Sequence, residues 1–335
     1  MNLSEAEIQV LASIVEAGSK GIIASRKTID ERSDRYWVFK EDWTNAFTGL
    51  EEKNLISGND DRYELTDIGQ PLAMDYYAQR PDLYWYFYQK FYDLAEWSQA
   101  HSRFSKIVFG EDRFQEGQTD MKCFDDLLSR VQIQPDHQIL DLGCGAGGLS
   151  EYVFDKLGPS VTGIDYSELA IRTACNRTSG KREKLNFLQV DLNALDLPSN
   201  TFDAAISIDS IYGVLDMDKT IASIVETIKP GGQLCILIVH RLNEESDISC
   251  FGGKNTRVAR SLDKLKLRYD TVDYSGWFLD FWPRARQAAF SLRDEYVAEG
   301  AELICDIWIR EADEDFLPGI EAGMIKRYLY QIYVD

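Results

Sequence analysis

Apolar residues first recur at helical spacing: Ile8, Leu11 and Ile14 share one face behind Ser4, a helix-capping residue type. Gly18 and Gly21 then stop that helix. A second short helix is predicted at about 25–33. A third is predicted from about Lys40 to Lys53, with Trp43, Phe47 and Leu50 on one face. The run NLISGNDDRYELTDIG predicts two short strands around an Asn-Asp-Asp turn. Three helices and a hairpin make residues 1–75 a winged-helix-like, mainly helical domain.

Between 76 and 130 the texture is aromatic, with Tyr84, Trp85, Tyr86, Phe87, Tyr88, Phe91, Tyr92 and Trp97 close together. Such rings either pack against neighbouring elements or wall a pocket that attracts a cationic amine. Residues 101–121, with Gly110 and Gly117, predict a turn-rich lead-in before a helix at Cys123–Val131.

From 131 onward strand and helix alternate. QILDL predicts a buried strand, followed by a glycine-rich turn and a helix. Strands are predicted in 160–167, 185–195, 201–214, 229–239 and 264–275, with a closing antiparallel strand in 327–335. The glycines of KPGG make a helix stop and bend before the 229–239 strand. Between the last two strands, GWFLDFWPRARQAAFSLRDEYVAEG predicts a bend and a long helix, and ELICDIWIREA a further strand or helix. The fold class expected for 131–335 is α/β.

The 335 residues suit two domains. The 36 basic and 56 acidic side chains leave a net charge of −20, which repels phosphate backbones and anionic membrane surfaces. In the third helix Lys40 and Lys53 are outnumbered by Glu41, Asp42, Glu51 and Glu52. That balance argues against nucleic acid as a partner and for packing, or a homodimer, through the N-terminal domain. The six cysteines show no metal-ligand spacing, and no basic, apolar leader opens the chain. The longest apolar run, LCILIV, is far too short for a membrane span. A cytoplasmic location without membrane partner is expected.

The chemistry concentrates in the strand–turn–helix unit. Asp141 closes the first strand, and Gly143, Gly145 and Gly147 follow; glycines there let backbone approach a nucleotide closely. Gly143, Gly145 and Gly148 also satisfy a dinucleotide spacing. Asp165, 24 residues after Asp141, ends the second strand, where a carboxylate can accept from both ribose hydroxyls. Asp191, followed by Leu192, ends the third and can accept an adenine amine.

Together D-L-G-C-G-A-G-G, G-I-D-Y-S, V-D-L, F-D-A-A-I-S-I-D and K-P-G-G, in that order, resemble the class I S-adenosylmethionine-dependent methyltransferases. The resemblance implies a Rossmann-like, seven-stranded, mostly parallel sheet with one reversed strand, and S-adenosyl-L-methionine as cofactor. It implies that Gly143, Gly145 and Gly147 line the methionine and ribose moieties. Asp165 would hold the ribose and Asp191 the adenine, Tyr166, Leu192 and Ile208 would also bind the cofactor, and Asp141 would orient the loop and the amino group. VFGEDRFQEGQ is similar to a lead-in of small-molecule enzymes, including phosphoethanolamine N-methyltransferases, placing Gln115 and Gln118 near the cofactor's carboxylate. The chain departs from those enzymes at Ser105 and Gly213, where they carry tyrosine and histidine, which argues against phosphoethanolamine as acceptor. The insertion at about 275–326 would cap the acceptor site, with Trp277, Phe281, Trp282 and Arg284 either shaping the pocket or packing. If the small-molecule acceptor must lose a proton, Tyr212, Asp209 and His240 are the candidate bases. His101 and His137 lie away from the chemistry. A cofactor-sensing DNA-binding regulator and a protein or peptide methyltransferase are the alternative readings.

Overall fold

A computed structural model describes residues 2–19, 21–30, 43–79 and 83–335. The chain divides into two units, Met1–Phe91 and Tyr92–Asp335. The division falls within the aromatic stretch rather than at 75 or 130.

In the first unit, α1 (Glu5–Ser19) starts on a reciprocal cap. Ser4 Oγ accepts from Glu7 N at 3.2 Å and Glu7 Oε2 accepts from Ser4 N at 2.9 Å, so two donors at the helix start are satisfied together. Residues 26–30 are helical, and α2 (Trp43–Glu52) follows. Residues 31–42, on which the second predicted helix ends and the third begins, lie outside the described residues. Lys53, just past α2, is paired with Glu7 of α1, so one of the few cations there faces inward. Strands β1 (Ile56–Asn59) and β2 (Arg62–Leu65) form the predicted hairpin, with Asn59 opposite Arg62 across Asp60 and Asp61. Helix α3 (Gly69–Gln79) follows, and α4 (Leu83–Ala95) carries the chain across the division.

The second unit opens with α5 (Gln99–Val108), where the sequence predicted turns. Ser98 Oγ caps it, and Ala100, Phe104 and Val108 bury one face at i, i+4 spacing. Helix α6 (Met121–Ser129) leads to β3 (Gln138–Leu142), α7 (Gly148–Leu157), β4 (Ser160–Asp165), α8 (Glu168–Arg177), β5 (Leu185–Gln189) and β6 (Phe202–Ile208). Then come α9 (Met217–Thr227), β7 (Ile228–Arg241), α10 (Arg257–Lys264), β8 (Arg268–Asp273), α11 (Phe278–Glu299), α12 (Glu302–Arg310), α13 (Leu317–Glu321) and β9 (Ile325–Tyr333). The sheet order is β5-β4-β3-β6-β7-β9-β8, with β9 antiparallel to both neighbours. This is the seven-stranded, mostly parallel sheet with one reversed strand. Lys229-Pro230-Gly231-Gly232 lies inside β7, where the pairing with β6 shifts register, instead of forming a turn before it.

Strand alternation builds a core on each face. Leu140, Leu142, Ala205, Leu234 and Ile236 pack with α9 and α10, while Ile139, Ala204, Ile206, Cys235 and Leu237 pack with α6, α7 and α8. ELICDIWIREA is helical: Ile304, Ile307 and Trp308 of α12 bury one face, and a π-helical stretch, Glu311–Phe316, follows. Trp282 of α11 stacks on Phe316 with ring centroids 3.9 Å apart, and Phe281, Trp308, Phe104 and Phe109 complete a ring cluster. The six cysteines carry no disulfide. Among the described residues no helix is long and apolar enough to cross a membrane.

Candidate active site at the carboxyl ends of the strands

The parallel strands place their carboxyl ends on one edge, where an open α/β sheet forms its ligand crevice. Gly143 N and Cys144 N both donate to Ile164 O, which folds the turn after β3 against β4. Gly145 N donates to Asp165 Oδ2 at 2.9 Å, and Ser167 N to Asp165 Oδ1 at 2.8 Å. Asp165 therefore organises the glycine turn; burial nevertheless pushes its carboxyl up.

Two glycines are required by close approach. At Gly145, with φ at +53°, a Cβ would sit 2.5 Å from the Tyr92 hydroxyl; at Gly148 it would fall 1.6 Å from Arg113 O. The lead-in backbone thus lies directly on the first turn of α7. Tyr92 stands against the turn beside Asp165, with burial first and then that carboxylate pushing its phenol well up. Sequence reasoning saw Tyr92 only as one ring among eight. The contact is read from space, and no local pattern announces it.

Asp141 accepts from Ser150 Oγ at 2.5 Å and is pushed up to about 6 by burial, against the lowering effect of Ser150. Asp141, Ser150, Leu149 and Ile208 line one small pocket together with Phe124 and Ile206. Asp191 follows β5. Its Oδ1 accepts from Asn193 N at 2.9 Å and Asn193 Nδ2 at 3.0 Å, while its Oδ2 is buried without a partner. An unpartnered buried carboxylate oxygen suits a ligand that brings an N–H. Leu192 packs on the sheet core, and Tyr166 O accepts from Gln189 Nε2 at 3.1 Å.

In the lead-in, Gln115 is buried and its Oε1 accepts from Arg113 N at 2.9 Å, so that group serves the loop itself. Gln118 Oε1 is buried and unpartnered.

The three candidate bases are all engaged. Asp209, just past β6 and with φ at +49°, pairs with the fully buried Arg327 of β9. Tyr212 Oη donates to Asp209 Oδ1 at 3.0 Å and accepts from Val239 N at 3.0 Å; burial pushes its phenol well up. His240 Nε2 lies 3.1 Å from Tyr330 Oη. Of the capping side chains, Phe281 and Trp282 are buried in the ring cluster and Trp277 packs against the sheet core. Arg284 donates to Asp120 at 2.7 Å and pairs with Asp280. These positions are packing positions.

Burial lowers both His240 and His101 to about 4. Each imidazole is neutral when folded, whereas the unfolded chain protonates below its ordinary 6.5. The stability tied to each is therefore whole above pH 6.5. It is lost as pH falls towards 4, to the extent of roughly 3 kcal/mol per histidine. Urea midpoints should drop between pH 7 and 4.5, and His240→Gln should flatten part of that slope. An equally steep slope in the variant would refute the assignment.

A family profile described as a methyltransferase domain matches residues 133–266. A sterol 24-C-methyltransferase of Gibberella zeae is 30% identical over 173 residues, covering 51% of this chain and 42% of its own. Phosphoethanolamine N-methyltransferase 1 of Arabidopsis thaliana is 28% identical over 149 residues, covering 44% of this chain and 30% of its own. The chain thus spans less than half the length of these curated relatives. Among solved structures, phosphoethanolamine N-methyltransferase 2 of Haemonchus contortus superposes with a TM-score of 0.60 at 18% identity, covering 73% of this chain and 60% of its own. A cyclopropane synthase from Mycobacterium tuberculosis gives 0.59 at 12% identity, covering 73% and 98%. At such identities the likeness is one of fold.

Proposed function

We propose that the chain is a class I S-adenosylmethionine-dependent methyltransferase that methylates a small-molecule acceptor. The observation that carries the reading is the set of strand-end carboxylates around a glycine-rich turn, with Asp191 Oδ2 lacking a donor. Asp191 would accept the adenine amine, Asp165 the ribose hydroxyls, and Asp141 the amino group. Gly143, Gly145 and Gly147 would supply close backbone walls. When bound, the cofactor supplies an electrophilic methyl group for in-line displacement, and the protein's task is alignment and exclusion of water.

The engagement of Asp209, Tyr212 and His240 supports an acceptor that reacts without first losing a proton. His240, held near 4, is a weak base at neutral pH.

Calorimetry with S-adenosylhomocysteine tests the cofactor, and transfer of a labelled methyl group into the small-molecule fraction of a cell extract tests the acceptor class. Label entering protein, or no binding, would sink the proposal. Asp141 adds a pH signature. A protonated Asp141 no longer attracts an ammonium, so affinity should weaken as pH falls below about 6, approaching tenfold per unit. Asp141→Asn should bind weakly at every pH and lose that dependence.

A further inference from the structure

The reversed strand β9 carries an arginine whose surroundings reach from the sheet to the lead-in. Arg327 is fully buried, with its guanidinium carbon 5.1 Å from the Phe278 ring centroid. Its Nη1 donates to Gln118 O at 2.6 Å, and its Nη2 donates to Thr119 Oγ1 at 2.5 Å and to Asp209 Oδ2. The same Asp209 oxygen accepts from Gln118 N at 3.3 Å and from Thr119 Oγ1 at 3.4 Å. Both peptide groups flanking the Gln118 Cα are therefore held by one buried ion pair. What that pair presents is the Gln118 side chain, whose Oε1 is buried and has no donor.

Resting on the methyltransferase reading, we propose that Arg327 is a positioning residue. With Asp209 it fixes the lead-in so that Gln118 meets an N–H of the cofactor's methionine arm. Asp209 is then half of this clamp rather than a base. Its left-handed backbone fits that role, because strained residues persist where surrounding contacts over-determine them. A guanidinium can serve three acceptors in a fixed fork, which a lysine ammonium on a shorter reach cannot reproduce.

The test is a cycle with the full chain, reading S-adenosylhomocysteine Kd by calorimetry and cofactor KM and kcat in the methylation assay. Arg327→Lys should raise Kd and KM about tenfold or more, with kcat affected less. In a Gln118→Ala background the same change should cost less than about twofold, because its effect passes through Gln118. Should Arg327→Lys fail to fold, Thr119→Val carries the test, since it removes one acceptor of the guanidinium and should behave the same way at smaller amplitude. An unchanged Kd in Arg327→Lys or, if that variant does not fold, in Thr119→Val would overturn the proposal. So would an equal loss with and without Gln118. A wild-type chain that binds no S-adenosylhomocysteine would instead bring down the methyltransferase reading, and this proposal with it.

Discussion

Asp165→Ala is expected to weaken S-adenosylhomocysteine binding by about a hundredfold or more while leaving the fold intact. Two effects add. The ribose hydroxyls would lose a charged acceptor, and hydrogen bonds to charged groups contribute roughly 1.5–3 kcal/mol each. The glycine turn would also lose its organiser, because Gly145 N and Ser167 N both donate to this carboxylate. Burial disfavours the charge in the free protein, so removing it should not lower the melting temperature much. Asp165→Asn separates the two contributions, since it keeps an acceptor for the turn and loses the charge. Calorimetry beside a thermal melt decides: full affinity in the alanine variant would refute the assignment of this carboxylate to the cofactor.

Trp282→Ala should be the most damaging change to stability, about 3–5 kcal/mol. The ring is fully buried, stacked on Phe316 and in contact with Phe281 and Trp308. Its removal leaves a void bounded by other large rings that cannot collapse without leaving their own contacts. Urea unfolding would measure the loss, and a change below about 1 kcal/mol would show that the ring cluster does not hold the insertion together.

Strands β3, β4 and β6 were legible because each is a largely apolar run closed by glycine or aspartate, and that signal is local. The places of the glycine turn and of Asp141, Asp165 and Asp191 at or just past strand ends were legible for the same reason. Helix α5 was not legible because the glycines beyond it, Gly110 and Gly117, signal turns as strongly as the i, i+4 pattern of Ala100, Phe104 and Val108 signals a helix. KPGG was misread as a turn because a register shift accommodates it within β7. The long-range partners of these residues were not legible. Arg327 lies 118 residues from Asp209 and 209 from Gln118, and only the closing of β9 between β7 and β8 brings them together. Asp209 accordingly read as a carboxylate at a strand end, available as a base, when its charge is already met. Tyr92 against Gly145 belongs to the same class, since it needs the turn to be folded before it means anything.

The antiparallel pairing of β7 with β9 has a consequence for dissection of the chain. Partners run from Gln233 opposite Tyr333 to Arg241 opposite Ile325, and β9 lies wholly beyond the stretch matched by the family profile. A fragment excised as 133–266 would leave Leu234, Ile236 and Ile238 on a bare strand edge with open N–H and C=O groups, a template for self-association. The stretch that the family profile matches is therefore not a portable cassette, because its open edge is closed only by β9.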